Sequence, residues 1–266
     1  MQPNLKVLIK GAGEMATGVA WRLHQSHFHV LMTEIPSPLA VRRAVAFCEA
    51  VHEGRKTVEG VEAVLIDHAN EADEAWANSK IPLMVDPFLE GMIITGPDVL
   101  IEATLAKNNT GITINDAPLV IALGPGYEAG RDAHFVVETK RGHHLGRLYT
   151  SGYAEANTGV PGDISGVSVE RVLRAPADGI FDAKIVLGDL VQARQVVAMV
   201  AGEPVVARIA GILRGLIRSG TQVGRGLKVG DIDPRGDKSY VQTISEKARA
   251  IGGSVLEGIC RKFNFW

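Results

Sequence analysis

The sequence has few cysteines, few aromatic residues and little net charge. Only Cys48 and Cys260 occur in 266 residues, which excludes a disulfide scaffold and predicts a reducing compartment. The net charge of −2 provides no field that would gather nucleic acid or an anionic membrane. No apolar run reaches the length of a membrane span, and the chain enters a predicted strand at once, which predicts no cleaved signal. We therefore expect a cytoplasmic protein with neither nucleic acid nor membrane among its partners.

Glycine, in contrast, is abundant. The chain contains 30 glycines and is 46% hydrophobic but only 5% aromatic, a composition that suits an α/β and β-rich protein with many turns. At this length two domains with real cores are expected.

Three small residues, Gly11, Gly13 and Ala16, have the spacing G-x-G-x-x-[GA] between a predicted strand and a predicted helix. In this motif the first glycine permits a tight turn, the second lets the backbone approach a pyrophosphate, and the third small residue lets the helix lie close to the strand. The helix begins with Glu14 and Met15, where free N–H groups and a partial positive charge favour an anion. An alternative stays open, in which Glu14 only complements the helix dipole and no phosphate binds.

The next predicted strand ends in Glu34, 21 residues after Gly13, near the spacing of a carboxylate that binds a ribose. A 2′-phosphate about 4 Å from a carboxylate would cost about 1–4 kcal/mol, which favours NAD over NADP as the cofactor. Arg42 and Arg43 lie just downstream, where they would soften this preference. The alternative is that Glu34 is simply an exposed acid at the end of a strand.

Strands alternate with helices over residues 1–131, with a helix predicted over 39–53 and a short strand over 112–114. This alternation predicts an α/β fold with a Rossmann-like doubly wound parallel sheet, whose ligands bind at the carboxyl ends of the strands. The polar groups at these ends are Asp86, Glu102, Asp116 and the glycine turn with Gly124 and Gly126. The second glycine turn either binds part of the ligand through its backbone amides or is simply a tight turn at the end of a strand. Asp116 either faces the ligand or stabilises a turn.

Residues 132–235 change to a strand pattern and form a predicted β-rich domain. Its first hairpin tip carries Arg141 and His143, which either bind a phosphate or carboxylate or lie on a solvated tip. The adjacent His143 and His144 would point to opposite faces of a strand, so no metal site is expected. Arg235 at the end of this domain is either a ligand contact at a domain junction or part of a turn with a surface salt bridge.

An internal repeat occupies much of this domain. Residues 175–200 and 207–232 align at a constant offset of 32 without a gap, placing Gly179 on Gly211. The pattern resembles the biotinyl/lipoyl-type barrel-sandwich hybrid, but the link over 201–206 has no lysine to modify. A docking or ligand-clamping module with a pseudo-twofold axis is therefore expected. Its isoleucines at positions 180, 185, 212 and 217 are expected to be buried, and residues 236–266 to form a helix packing back on the first domain.

Five segments together resemble one family, the selenium-dependent molybdenum hydroxylase system proteins. The segments are Ile9–Gly18, Met32–Glu34, Gly124–Tyr127, Val137–His143 and Asp231–Arg235. The resemblance covers essentially the whole chain. It implies a Rossmann-type domain and an accessory protein that matures or supplies a molybdenum hydroxylase, which would be its partner. It carries over no catalytic residues.

Three functions stay open from the sequence. The first is an accessory factor that binds NAD or another nucleotide-containing cofactor, such as a molybdopterin dinucleotide, and works on a partner hydroxylase or its maturation machinery. The second is an NAD-dependent oxidoreductase, although no tyrosine–lysine or histidine–acid pair has a recognisable catalytic spacing. The third is a non-enzymatic docking scaffold. Self-association into a homo-oligomer is compatible with each.

Overall fold

The computed structural model describes residues 5–91 and 96–263, and the chain divides into two compact units. The first unit comprises Met1–Pro38, Ala46–Thr158 and Ile244–Trp266, and the second comprises Leu39–Val45 and Gly159–Thr243. The sequence-based boundary at 131/132 thus differs from the observed one. Residues 132–158 belong to the first unit, and a short stretch after Pro38 belongs to the second.

The first unit contains eleven described strands and four described helices. The strands are β1 (Lys6–Lys10), β2 (His29–Glu34), β3 (Arg55–Val58), β4 (Val61–Ile66), β5 (Ile81–Val85), β6 (Val99–Glu102), β7 (Leu119–Leu123), β8 (Glu128–Ala129), β9 (Phe135–Val137), β10 (Leu148–Tyr149) and β11 (Gly152–Tyr153). The helices are α1 (Glu14–Gln25), α2 (Ala50–Glu53), α3 (Ala72–Ala77) and the C-terminal helix (Glu246–Phe263), with 3₁₀ turns at Phe47–Glu49 and Ala69–Glu71.

Nine of these strands form one mixed sheet in the order β10-β9-β7-β6-β1-β2-β5-β4-β3. The seven inner strands are parallel, whereas β3 and β10 pair antiparallel at the two edges. The inner strands are rich in buried aliphatic residues, as expected for strands covered on both faces.

The two faces of this sheet are covered differently. The C-terminal helix packs over Ile121. Its Gly258 lies so close to Ile121 that an added Cβ would be 3.2 Å from the Ile121 side chain. Helix α1 packs on the C-terminal helix so closely that a Cβ at Gly18 would lie 2.6 Å from that of Ala248. On the opposite face, Leu8 and its strand neighbours pack against Ile112 and Tyr127, which lie on non-helical segments, and against residues of the short helix α3. Long helices therefore cover only one face.

The second unit contains eight strands and one described α-helix. They are β12 (Val172–Arg174), β13 (Gly179–Ala183), β14 (Leu190–Val191), β15 (Val196–Val200), β16 (Glu203–Val206), β17 (Gly211–Leu216), β18 (Gln222–Val223), β19 (Lys228–Asp233) and α4 (Ser239–Gln242), with a 3₁₀ turn at Arg43–Val45. The C-terminal helix of the first unit follows as α5. The strands form two antiparallel four-stranded sheets, ordered β12-β19-β17-β14 and β16-β15-β13-β18.

The two sheets repeat the same pairing at an offset of 32 residues. Gly179 pairs with Val223 and Phe181 with Val200, and the same pairs displaced by 32 join β17 to β14 and to β19. Gly179 and Gly211 have φ angles of +151° and +155°, which glycine adopts without strain. The ladders thus have the symmetry of a pseudo-twofold axis.

The predicted fold class, a Rossmann-like doubly wound domain joined to a barrel-sandwich-hybrid-like module, is wrong. The chain instead folds with few helices, as one mixed nine-stranded sheet, a two-stranded antiparallel sheet of β8 and β11, and two antiparallel four-stranded sheets. Most connections between the parallel strands contain turns, hairpins or 3₁₀ segments rather than a long helix.

Three local predictions are also wrong. Over residues 39–53 only Ala50–Glu53 is α-helical, because earlier backbone groups bond elsewhere: Cys48 N–H donates to the Ala12 carbonyl. Residues 112–114 form no strand, since Thr113 bonds to a nearby aspartate in a turn. Ile180 is 52% exposed, whereas its repeat equivalent Ile212 is 2% exposed.

Candidate functional site

The glycine turn at the carboxyl end of β1 is closed on one side and open on the other. The Gly11 N–H donates to the Thr33 carbonyl at 2.8 Å, and Gly11 has a φ of +95°. A Cβ at Gly11 would lie 3.3 Å from backbone atoms of Ala103 and Thr104, so this glycine packs against the end of β6. A Cβ at Gly13 would meet no atom within 4 Å. The open side of the turn is therefore at Gly13.

Helix α1 starts at this open side without a side-chain cap. Gly13 is the N-cap residue, with φ −67° and ψ −175°, and its carbonyl accepts the Thr17 N–H at 2.8 Å. The Glu14 carboxylate accepts a hydrogen bond from the Ser245 hydroxyl at 2.9 Å. Met15 and Ala16 are buried, so they contribute packing and backbone to the turn. An uncapped amino terminus carries a partial positive charge that an anionic group would satisfy.

Glu34 lies directly beside the turn. Its Oε1 accepts the Ala12 N–H at 3.0 Å, and its Oε2 accepts the Ile35 N–H at 2.7 Å. Two ionised oxygens offer about four acceptor positions, so these bonds leave acceptor capacity for a ligand hydroxyl. The structure thus brings Glu34 together with the Gly11–Gly13 turn.

The second glycine turn is packed against its own surroundings. Gly124 and Gly126 have φ angles of +83° and +112°. A Cβ at Gly124 would lie 2.7 Å from the Thr139 hydroxyl, and one at Gly126 would lie 2.8 Å from the carbonyl carbon of Lys107. These contacts account for both glycines without a ligand.

A buried carboxylate, Glu102, ends β6 next to the glycine turn. It pairs in register with Lys10 of β1, is fully buried, and accepts hydrogen bonds at Oε1 from the Thr104 N–H at 3.3 Å and from the Thr104 hydroxyl. Its Oε2 is buried without a hydrogen-bond partner among the described residues. Burial raises the pKa of Glu102, against the lowering effect of Thr104 and Lys10.

Tyr127 belongs to the same buried cluster. Burial and the nearby Glu102 charge raise the pKa of Tyr127 to about 12, although the hydrogen bonds with Thr110 oppose this. Its hydroxyl accepts the Thr110 N–H at 3.1 Å. From the sequence, Glu102 was only a strand-end acid and Tyr127 only an extension of a glycine turn. The two are 25 residues apart, so no local pattern could join them.

The predicted arginines of the second unit are engaged with neighbouring groups. Arg42 donates to the carbonyls of Tyr240 and Thr243 at 2.8 and 3.0 Å, and Arg43 donates to the Leu216 carbonyl at 3.0 Å. Arg235 forms a two-point ion pair with the buried Asp233, at 2.9 and 2.6 Å. These contacts give all three arginines structural roles within that unit.

The remaining predicted residues of the first unit lie in turns. Asp116 accepts hydrogen bonds from the backbone and hydroxyl of Thr113 at 2.8 and 2.7 Å, which fits the turn-forming alternative. Arg141 pairs with Glu246 at 2.6 Å. His143 is exposed and packs edge-on against His144.

The described part of the chain consists of residues 5–91 and 96–263. In this part of the chain no three histidine, cysteine, aspartate or glutamate side chains are grouped so that they could hold a metal ion. None of the helices there is sufficiently long and apolar to cross a membrane. Both cysteines are free thiols.

Comparison with known proteins gives one strong sequence match. No family model matches the chain. A protein of Escherichia coli (strain K12) that carries the name Uncharacterized protein YqeB is 47% identical over 253 residues. The match covers 95% of this chain but 47% of that protein, so the chain spans about half the length of this relative.

Solved structures show only distant likeness. An aspartoacylase family protein from Mesorhizobium loti is 12% identical, with a TM-score of 0.28 over 86% of this chain and 85% of that one. The ectoine utilization protein EutE (DoeB) from Ruegeria pomeroyi is 16% identical, with a TM-score of 0.24 over 78% of this chain and 58% of that one. A succinylglutamate desuccinylase/aspartoacylase from Rhodobacter sphaeroides is 12% identical, with a TM-score of 0.26 over 86% and 85%. Likeness of this degree assigns neither fold nor function.

Proposed function

We propose that the first unit binds a nucleotide-containing cofactor, NAD or a molybdopterin dinucleotide, at the turn formed by Gly11 to Gly13. The observation that carries the proposal is the geometry at this turn. The amino terminus of α1 has no side-chain cap, the space beside Gly13 is open, and the Glu34 carboxylate is hydrogen-bonded to the turn itself.

Each group of the ligand has a matching group in this arrangement. A pyrophosphate beside Gly13 would accept hydrogen bonds from N–H groups of the first helical turn. A ribose diol would donate to the remaining acceptor positions of Glu34. The Glu14 side chain, held by Ser245, already has a hydrogen-bond partner at its carboxylate.

We further propose that the protein acts in the cytoplasm as an accessory factor for a molybdenum hydroxylase, its partner. This role rests on the resemblance of five sequence segments to the selenium-dependent molybdenum hydroxylase system proteins. If it is right, loss of the chain lowers the cofactor content and activity of a molybdenum hydroxylase made in the same cell. A hydroxylase with full cofactor content in its absence contradicts the role.

Calorimetric titration of the purified chain with NAD, ADP-ribose and a molybdopterin dinucleotide tests the binding site. Gly13→Val is expected to abolish binding, because its side chain enters the open space where the phosphate lies, while its φ and ψ angles remain accessible to valine. Gly253→Val is the matched control, since Gly253 also faces open space. Absence of binding below millimolar concentration for all three ligands contradicts the proposal.

A further inference from the structure

Lys10 places a cation at the edge of the proposed ligand turn. It is the last residue of β1 and directly precedes Gly11. Its ammonium donates to the hydroxyl and the carbonyl of Thr110 at 3.2 and 3.5 Å, in contacts that are open to solvent. Both acceptors are neutral, and no ion pair joins Lys10 to another residue within 5–91 or 96–263. The ammonium can therefore turn to an anion without breaking an ion pair to any of these residues.

The order of the strands reverses at Lys10. Strands β2 and β5 lie on one side of β1, and β6, β7 and β9 lie on the other. In open parallel sheets, ligands bind in the crevice outside the carboxyl ends of the strands at such a reversal. Lys10 pairs in register with Thr33 of β2 and with Glu102 of β6, so the three side chains point to the same face of the sheet.

The two side chains that flank Lys10 have unused hydrogen-bonding capacity. Thr33 and Glu102 are 1% and 0% exposed, and neither Thr33 Oγ1 nor Glu102 Oε2 has a hydrogen-bond partner among the described residues. Buried polar atoms in folded proteins nearly always have a partner. The row of side chains around Lys10 is therefore polar and only partly satisfied by the described part of the chain.

Three acids lie around the glycine turn. Glu14 opens α1, Glu34 accepts the Ala12 N–H, and Glu102 ends β6. Carboxylates at these places repel a pyrophosphate, so its binding needs a compensating positive charge. Lys10 adjoins the turn and carries that charge.

We propose that the Lys10 ammonium binds the pyrophosphate of the nucleotide-containing ligand and that Glu102 takes up a proton when the pyrophosphate binds. The inference rests on the proposed function and names the cation that this function requires. The ammonium exchanges its bonds to Thr110 for stronger, charge-assisted bonds to phosphate oxygens. One proton moves from solvent to the Glu102 carboxylate, and no covalent bond of the ligand changes.

The proton uptake follows from the charges that act on Glu102. The titratable groups that do so are Lys10 of β1 and Tyr127, which follows β7, and both lower the pKa of Glu102 against the effect of burial. A pyrophosphate at Lys10 cancels the positive charge there and adds negative charge, so it favours the neutral carboxyl. Ligand binding and protonation of Glu102 therefore strengthen each other.

Calorimetric titration of the whole chain with ADP-ribose, in pairs of buffers that differ in ionisation enthalpy, counts the protons taken up on binding. Between about pH 5 and pH 7 the pyrophosphate of ADP-ribose stays ionised, so any uptake belongs to the protein. We expect the parent to take up as much as about one proton per ADP-ribose. Glu102→Gln should bind ADP-ribose without this uptake, because the amide does not titrate.

Lys10→Met tests the cation itself. It should weaken ADP-ribose binding by about tenfold to a hundredfold, the range of a charged hydrogen bond, and should abolish the proton uptake. Lys10→Arg keeps the charge and should restore most of the affinity. Lys6→Met is the matched control. Lys6 lies on the same face of β1 at its opposite end, so this variant should equal the parent in affinity and in proton uptake.

The outcomes separate this inference from the proposed function. A Lys10→Met variant that binds like Lys6→Met, or proton uptake that persists in Glu102→Gln, overturns the inference and leaves the turn as the ligand site. Binding by the parent without proton uptake anywhere in the pH range does the same. No binding of ADP-ribose by the parent overturns both. Circular dichroism identical to that of the parent shows that a variant is folded.

Discussion

Two buried acids, Asp233 in the second unit and Glu102 in the first, have opposite surroundings. In the second unit the buried Asp233 has two arginine partners, Arg235 at 2.6 Å and Arg214 at 3.4 Å. Hydrogen bonds and charge from Arg235, together with Arg214, hold the pKa of Asp233 below its usual value despite burial. In the first unit the buried Glu102 has one oxygen without a partner, and burial raises its pKa.

Asp233 with its arginine partners is expected to stabilise the fold. Glu102 lacks such a partner, and its charged form is unfavourable in the folded chain. A buried ion pair with further hydrogen bonds is costly to break, whereas a lone buried carboxyl favours its neutral form. Glu102 ends β6 where Gly11 packs against the following two residues, next to the proposed ligand turn. Perturbed acids concentrate at functional sites, and this comparison makes Glu102 the first position to test in the first unit.

Removal of the paired acid is expected to have the largest effect. Asp233→Leu leaves Arg214, which is 4% exposed, buried without its carboxylate, so the free energy of unfolding should fall by about 3–5 kcal/mol. Asp182→Leu is the control, because Asp182 pairs with Lys184 on the surface and should change stability by less than about 1 kcal/mol. Urea denaturation measures both, and similar small losses would contradict the contrast between the two units.

The repeat of the second unit offers a matched pair for the next effect. Ile212 and Ile180 occupy equivalent positions, but Ile212 is 2% exposed and Ile180 is 52% exposed. Ile212→Ala should cost about 2–5 kcal/mol, and Ile180→Ala should cost clearly less because its site is open to water. Equal costs in urea denaturation would show that Ile180 is buried in solution.

These positions also show what the sequence could predict. Regular local patterns were read correctly. The strand predicted to end in Glu34 is β2 (His29–Glu34), and the offset of 32 correctly made Gly179 equivalent to Gly211, since each pairs with a valine at the equivalent position. The unequal burial of Ile180 and Ile212 was not predictable. Ile212 lies on β17, on which residues 39–45 pack through a bond from the Leu216 N–H to the Val41 carbonyl at 2.8 Å. Such contacts join distant segments and leave no periodic signal.

The same limit explains the wrong fold class and the unforeseen burial of Glu102. Alternation of apolar runs predicted helices between the strands, but it cannot tell a helix from a non-helical segment that covers a sheet face, as Ile112 and Tyr127 do. The Gly11–Gly13 turn and Glu34 were found because turn, helix and acid lie within one local motif. Glu102 and Tyr127 meet only in the folded chain.

Glu102→Gln tests the opposite pH dependence of the two acids. Because the folded-state pKa of Glu102 is raised, its contribution favours folding below the unfolded pKa of about 4.5 and is lost as pH rises through the folded value. The lowered pKa of Asp233 has the reverse effect: its contribution is present above about 3.8 and is lost as pH falls. The Glu102→Gln variant should therefore gain stability relative to the parent as pH rises, by at most about 1.4 kcal/mol per pH unit.

Urea denaturation of the Glu102→Gln variant and of the parent measures how their difference in stability changes with pH. The measurements run from pH 4 to pH 8, at about one per pH unit. A difference that stays constant across the range would mean that Glu102 titrates as an ordinary acid. The contrast with Asp233 would then disappear.

Tyr127→Phe should have the smallest effect and tests whether the tyrosine, which lowers the pKa of Glu102, opposes the rise in pKa that burial causes. The substitution removes the bonds at 3.1 Å to the Thr110 N–H and hydroxyl but keeps the buried ring, so a loss of about 0.5–1.5 kcal/mol is expected. Tyr153→Phe is the control, since its hydroxyl bonds to Glu128 at the surface. If Tyr127→Phe shifts the pH dependence of stability as well as its magnitude, the tyrosine hydroxyl contributes to the pKa of Glu102. If it shifts only the magnitude, Tyr127 stabilises the cluster through Thr110 alone, and the raised pKa of Glu102 comes from burial.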